Sequence, residues 1–411
     1  MDSGHVAWML TASALVLLMT PGLAFFYGGL VRARNVVSTI MYSFVAMAVV
    51  SVVWVLWGYS FALEGGNAFI GDFSKFGLSG IDINSGLGDP DNPAAGDLIF
   101  VVFQMMFAII TPALITGAFV ERFKFTTYMI FLVLWVTLVY APIAHWVWDS
   151  DGWLFKMGAL DFAGGTVVHI NAGLAAVAAA LLVGKRRNPG PQPHNVPYVV
   201  LGAALLWFGW FGFNAGSEVL SDGIAVSAWT VTNTATGMAS VTWLLMSWAH
   251  TGRPSIAGAA TGAVAGLVAI TPASGWVGPM AAIIIGVAAG TVCYGAVAFK
   301  NSRKWDDALD VWGVHGIGGF TGAVLTGTLA SPHVWDTGDG IGAWTGTPEG
   351  MEQQAINIAG ACLSVAYAFS VTIVILKIMD VIWPGGIRVT PKEEEVGLDI
   401  AQNGERAYVN E

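Results

Sequence analysis

Charge is scarce in this sequence: Asp, Glu, Lys and Arg make up 11% of its 411 residues, where a soluble domain carries about 25%. That leaves too little polar surface for a globule in water, and no nucleic-acid partner is expected. Cysteine is nearly absent. Cys293 and Cys362 both fall in apolar segments, which suits inert packing rather than a disulfide and says nothing about compartment. No His-x-x-His or matching carboxylate spacing marks a metal site. No nucleophile–base set stands out either, so neither an enzyme nor a cofactor is expected. Residues Met1 to His5 carry no basic run, so the first apolar segment is expected to be a retained helix and not a cleaved signal. The formal net charge of −10 adds little, because the acids gather in loops and in the tail.

Apolar residues fill the chain instead: 55% of the total, with a mean hydropathy of +0.66 and 52 glycines. A bilayer span takes about 20 apolar residues. Charge, Gly and Pro divide the sequence into eleven such segments, roughly 6–31, 36–63, 98–120, 125–146, 165–183, 196–213, 224–249, 255–271, 276–299, 311–330 and 355–383. Only helices or closed barrels span lipid, and these runs are far too long for barrel strands. The expectation is therefore an all-α polytopic membrane protein, with glycine allowing close helix approach.

Lys and Arg set its orientation. Arg32, Arg34, Arg122, Lys124, Lys185 to Arg187, Arg253, Lys300, Arg303 and Lys304 fall on one side, and only Lys75 and Lys156 on the other. The positive-inside rule then places the N-terminus outside the cell membrane and the C-terminal tail in the cytoplasm. The long connections 65–97 and 331–354 would face outward. Asp161 and His169 in segment five are echoed by Asp310 and His315 in segment ten. Five segments per half would invert the second half and leave the eleventh over, a plan that places transporter sites near the midplane. The chain thus divides into a membrane domain, 1–383, and a tail, 384–411. The repeats would cover about 6–184 and 196–330, and the eleventh helix 355–383.

His169 and His315 are ionisable groups inside long apolar segments, where such groups are costly and mark pathways. Facing each other, two neutral imidazoles could guide a small polar molecule through an apolar pore. Bonded to backbone carbonyls, they would only pack. A shared metal is a third reading and lacks the ligand spacing. Asp161 reads as a helix N-cap or as a buried carboxylate favouring a cation, and Asp310 invites the same two readings. Aromatics gather towards the outer ends of their segments, at Phe103 and Phe107, at Trp146 and Trp148, and from Trp207 to Phe213. They suit an interfacial belt or a cation-attracting surface worth roughly 0.5–2 kcal/mol per contact. His145 is read as interfacial, and His5, His194, His250 and His333 as loop or terminal residues. The acidic tail reads as a disordered end, or as a docking segment resting on Val396 and Leu398. In the second case Lys185 to Arg187 and Arg303-Lys304 would face Glu393 to Glu395.

Five stretches, in order, resemble signatures of the ammonium transporter (Amt/Rh) family: Pro21 to Arg32, Asp161 to Gly173, Trp207 to Ser217, Thr271 to Gly275, and Val314 to Gly316. The resemblance runs nearly end to end and is to a prokaryotic Amt-type member. It implies eleven transmembrane helices with a five-plus-five inverted repeat, assembled as a homotrimer with one pore per subunit. Phe107, Trp148 and Ser217 would recruit ammonium at the outer mouth, and Phe107 and Phe213 would stack as a gate. His169, His315 and Trp210 would line the pore through which NH3 passes, with or without the proton. Asp161 would be the buried carboxylate near the entrance. Methylammonium would be a related substrate, and a PII-type signalling protein would plug the pore at the tail. Should the segment 149–160 differ in length from other members, Trp146 takes the place of Trp148. An ammonium sensor on the same fold is the other reading, and the lack of a kinase, cyclase or other output domain after segment eleven weighs against it.

Overall fold

The computed structural model describes residues 3–83, 97–190, 193–331 and 342–408. All eleven apolar segments are helical. In chain order α1 is Ser3–Leu30, α2 Ala33–Leu63, α3 Leu98–Phe119, α4 Phe125–Lys156, α5 Gly165–Val183 and α6 Val196–Glu218. Then come α7 at Gly223–Thr251 and α8 at Ile256–Ile270. Helix α9 is Pro279–Ser302, α10 joins Trp312–Gly316 to Ile317–Leu329, and α11 is Pro348–Ile382. Two short tail helices follow, α12 at Pro391–Val396 and α13 at Leu398–Ala401. Parts of the two long connections, and His333 with them, lie outside the described residues.

Eight helices, α1 to α6, α9 and α11, are long and apolar enough to cross a bilayer on composition alone. Helix α8 has 15 residues, while α7 and α10 are diluted by Thr, Ser and Gly, so their place depends on packing within the bundle. Helix α11 starts at Pro348, several residues before the apolar run. Thr347 caps it, accepting from Gly350 N–H, and Pro348 stands in its first turn. Capping chemistry starts a helix wherever it occurs, polar sequence or not.

The two halves pack alike. Helix α1 lies on α2 and α3, and α3 on α5; in the second half α6 lies on α7 and α8, and α8 on α10. Helices α1 and α6 form the most extensive contact, and it requires glycine. A Cβ on Gly202 would lie 2.2 Å from Phe26 N. Helices α5 and α10 cross as closely, since a Cβ on Gly173 would lie 2.2 Å from Gly316 N. Buried side chains bond to the backbone of neighbouring helices, as Tyr27 Oη does to Leu114 O (2.9 Å) and Trp54 Nε1 to Val101 O (3.0 Å). Inside lipid no water is available to take those bonds.

On the basic face a buried ion network ties the helix ends together. Glu121, in a left-handed turn at φ 72, pairs with Arg32 and with Arg186. Arg186 also pairs with Asp306 at 2.7 Å. Arg122 is fully buried and donates to Gly184 O, Ala118 O and Asp306 O. The tail lies on this network. Arg388 pairs with Glu394, Glu394 accepts from Arg187 N–H, and Asp399 accepts from Ser38 N–H at the start of α2. Leu398 is wholly buried, whereas Val396 is 48% exposed, so the anchor expected from two aliphatics is supplied by one. Glu393 caps its own helix through Thr390.

Burial raises the Asp306 carboxyl, but its bonds to Arg186 and the charge of Arg122 outweigh that and hold it below the usual range. An acid depressed in this way contributes stability above the unfolded value near ~3.9, and loses it as pH falls through the lower folded value. Removing one partner of a buried pair costs about 3–5 kcal/mol. Arg186→Met is therefore expected to lower the melting temperature at pH 7, with a gap that narrows below pH 4. Thermal unfolding followed in detergent would show the same midpoint for both proteins if the network carried no stability.

Candidate functional site

Two carboxylates begin the site. Asp161 Oδ1 accepts from the N–H groups of Gly164 and Gly165 (2.9 and 2.6 Å), and Oδ2 from those of Thr166 and Val167 (2.8 and 3.2 Å). Those N–H groups open α5, whose first turn, Gly165–Ile170, is a π-helix carrying His169. In the second half the equivalent bond is made by Asp307, whose Oδ2 accepts from Trp312 N–H at 2.8 Å. It opens the π-helical turn Trp312–Gly316, which carries His315. The cap expected of Asp310 thus belongs to Asp307. Asp310 sits at φ 63 and pairs with Lys300. Reading forward would have found it, because the spacing from Asp307 to His315 equals that from Asp161 to His169. A widened π turn moves a side chain off the ordinary helical register, and such turns gather at functional sites.

The rings meet. His169 Nδ1 lies 3.3 Å from His315 Nδ1, both side chains are buried, and His169 Nε2 has no hydrogen-bond partner among the described residues. One Nδ1 must carry a hydrogen and the other must accept it, so the pair cannot be doubly protonated in this arrangement. His169 stacks near Trp210 and Phe213, with centroids at 5.3 and 6.0 Å. Trp210 is fixed by its Nε1–H bond to Thr271 Oγ1 at 2.8 Å. The space beside the pair is about 10 Å³, bounded by Leu114, Val168, Trp210, Phe213, Val264 and the two histidines. That is room for about one water-sized molecule.

The aromatic track continues away from the histidines. Phe213 lies 4.3 Å from Phe107 between ring centroids, and both are buried to 1% or less. Trp148 meets Phe107 edge-on at 5.7 Å and donates from Nε1 to Asp161 O at 3.0 Å. Ser217 stands one turn beyond Phe213, with its hydroxyl bonded to Phe213 O. The alternative indole, Trp146, packs on Tyr367 and donates to Phe69 O, so Trp148 is the one on the track. His145 is fully buried, with Nε2 bonded to Asn67 O at 2.6 Å. It holds the loop at Asn67 and is not interfacial, a role no spacing in the sequence announces. Among the described residues no cluster of three His, Cys, Asp or Glu could hold a metal.

A bundle of long apolar helices, with an internal track of aromatic rings ending in paired imidazoles, defines the class: a polytopic membrane protein. A family model for the Ammonium Transporter Family matches residues 7–408. The chain is 46% identical to an ammonium transporter of Bacillus subtilis over 411 residues, covering 99% of each. It is 44% identical to the ammonium transporter Amt1 of Archaeoglobus fulgidus, covering 99% of this chain and all of that protein. The crystal structure of Candida albicans Mep2 superposes with a TM-score of 0.88 at 38% identity, covering 96% of this chain and 88% of that one. A sensor Amt protein superposes with a TM-score of 0.87 at 31% identity, covering 97% and 98%. The chain belongs to the ammonium transporter family. Its relatives are transporters and not enzymes.

Burial pushes the Asp307 carboxyl up to about 6, with Lys300 opposing and Asp310 adding to the rise. An acid raised on folding holds its proton more tightly in the folded state. Folding is therefore favoured as pH falls from about 6 towards the unfolded value near ~3.9. Infrared spectra are expected to show a protonated carboxyl band growing in as pH drops through about 6. Asp307→Asn should remove it; the same band persisting in that variant would assign the titration elsewhere.

Proposed function

We propose that the chain takes up ammonium by recruiting NH4+ at Trp148, Phe107 and Ser217 and splitting it there into NH3, which passes beyond Phe107 and Phe213 along His169 and His315, and a proton, which is either returned to water at the mouth or carried across separately. The observation that carries this is the unbroken ring track from Trp148 to His315, ending in a space for one small molecule. A bare cation in so apolar a lumen loses its hydration, a cost of several kcal/mol or more. Neutral ammonia does not bear that cost. Outside the gate, by contrast, the face of a half-buried indole attracts a cation. The imidazole pair offers one free acceptor or donor on each side, which suits relay of a small hydrogen-bonding molecule. The basic face is assigned to the cytoplasm by its Lys and Arg. The docked tail makes that face a surface for a PII-type regulator, and a homotrimer is the proposed assembly.

The likeness to a sensor Amt protein favours a second reading, in which the same site detects ammonium and the tail relays occupancy. Uptake of labelled methylammonium into proteoliposomes separates the two, and charge movement on a supported membrane then reports whether the proton crosses. Sustained transport is expected from the wild type, and altered transport from His169→Ala and from His315→Ala, with assembly intact in both. If both variants lost assembly and what remained still took up ammonium normally, the histidines would be packing residues.

Trp148→Leu removes one cation–π surface, worth roughly 0.5–2 kcal/mol. The apparent affinity for methylammonium should weaken roughly 2- to 30-fold with no change in assembly. Uptake kinetics that overlay the wild type across a full concentration series would sink the recruitment role.

A further inference from the structure

On the basic face, between the docked tail, the start of α2 and the α5–α6 connection, two cavities adjoin and share Arg32, Arg34 and Asn188. The inner one, of about 280 Å³, reaches Arg187 and is bounded on the tail side by Glu394 and Glu395. The outer one, of about 650 Å³, opens past Ala33, Pro189 and His194. Ala33 and Pro189 are the sole apolar residues along either wall. An acyl chain finds no surface here, whereas a hydrated ligand does.

Much of the charge in this cleft is already matched. Arg32 pairs with Glu121, Glu121 also with Arg186, and Glu394 with Arg388. His194 is taken up by Val31 O and Tyr408 Oη. Arg34 and Arg187 are both exposed, and neither guanidinium meets an acid among the described residues. Glu395 is exposed at the rim and likewise makes no ion pair among them. The cleft therefore holds two open cations against one open acid. The tail fixes the backbone of both arginines. Arg187 N–H donates to Glu394 Oε1 at 2.6 Å, and Asn35, next to Arg34, accepts from Leu398 N–H at 2.8 Å. Gly397 lies on the Arg34 stem at φ 102, where an added Cβ would come within 2.7 Å of Arg34 Cβ. Two guanidinium groups on separate segments, each a rigid fork of donors, suit an oxyanion held from two sides.

We propose that this cleft binds a small soluble phosphomonoester, with its phosphate between Arg34 and Arg187 and its organic part in the outer cavity beside Ala33 and Pro189. A phosphomonoester carries about −1.5 to −2 charges at pH 7, which matches the two open guanidinium groups. A carboxylate would satisfy one and leave the other. Inorganic phosphate would leave the outer cavity to water. Glu395 opposes every anion, and so favours one that is divalent over one that is singly charged. The bound phosphate joins the start of α2 to the α5–α6 connection at the two places where the tail is fastened. Ligand and docked tail therefore stabilise each other, since coupling between two binding events is reciprocal. This reading rests on the cleft and the tail, and does not depend on what the pore conducts.

The test uses the full-length chain in detergent, with adenosine monophosphate as the probe, titration calorimetry for binding and hydrogen exchange for the tail. The nucleotide is expected to bind once per chain, less tightly as salt rises, and to slow exchange of the amides in α12 and α13. Adenosine should do neither. Arg34→Gln and Arg187→Gln should each weaken binding about 10-fold, as one charge-assisted contact is lost. Both side chains are exposed and meet no acid, so the melting temperature without ligand should stay put in either variant. Glu395→Gln should tighten binding, an effect of opposite sign that a merely destabilised tail would not give. Wild-type affinity in both arginine variants would overturn the site. Equal binding of adenosine would overturn the role of the phosphate, and equal binding of inorganic phosphate that of the outer cavity. Slowed exchange with phosphatidylglycerol and none with the nucleotide would assign the arginines to a lipid headgroup and overturn the soluble ligand.

Discussion

The structure depends on how the backbone is satisfied where α5 and α10 begin inside the bundle. A buried N–H without a partner costs as much as a lost hydrogen bond, and no water reaches it there. Asp161 and Asp307 answer that demand from side chains placed the same distance ahead of each histidine. Once those ends are held, the first turns can widen to π-helix without fraying, and the widened turns bring His169 and His315 face to face. The close crossing of Gly173 on Gly316 completes the arrangement, because a Cβ on Gly173 would lie 2.2 Å from Gly316 N and force the two helices apart.

The loop before His315 connects the site to the basic face. Lys300 donates to the Asp307 carbonyl and pairs with Asp310, and Asp306 holds Arg186, which in turn reaches Glu121 and the end of α3. Both halves of the repeat are therefore fastened through one buried set of charges. Such a network is poor as a source of net stability but intolerant of a missing member. The tail joins it through Glu394 and Arg388, so whatever moves the tail acts on groups adjoining the seats of the histidines.

Along the track, charge and dryness work in sequence. Trp148 is half-buried and meets Phe107 edge-on, while Phe107 and Phe213 are buried against each other. Beyond them the lumen offers imidazole nitrogens and little else that is polar. The arrangement thus sets two hydrogen-bonding rings in an otherwise apolar space.

Much of this was legible beforehand. Eleven apolar runs set the helices, because a span needs a fixed length of apolar residues whatever its neighbours. Two histidines inside such runs proved to meet, and residues from the aromatic clusters form the ring track beside them. What could not be read were choices between near neighbours in sequence. Trp148 rather than Trp146 faces Phe107, Asp307 rather than Asp310 caps its helix, and Leu398 rather than Val396 is buried. His145 was misplaced for the same reason, since its carbonyl partner lies far away in the chain. The sequence by itself determined the spans, their order and the chemistry available, because hydropathy and residue type are local properties. Only the tertiary structure decided which side chain of each neighbouring pair turns inward, because that follows from helix rotation, π turns and close glycine contacts set by partners distant in the chain.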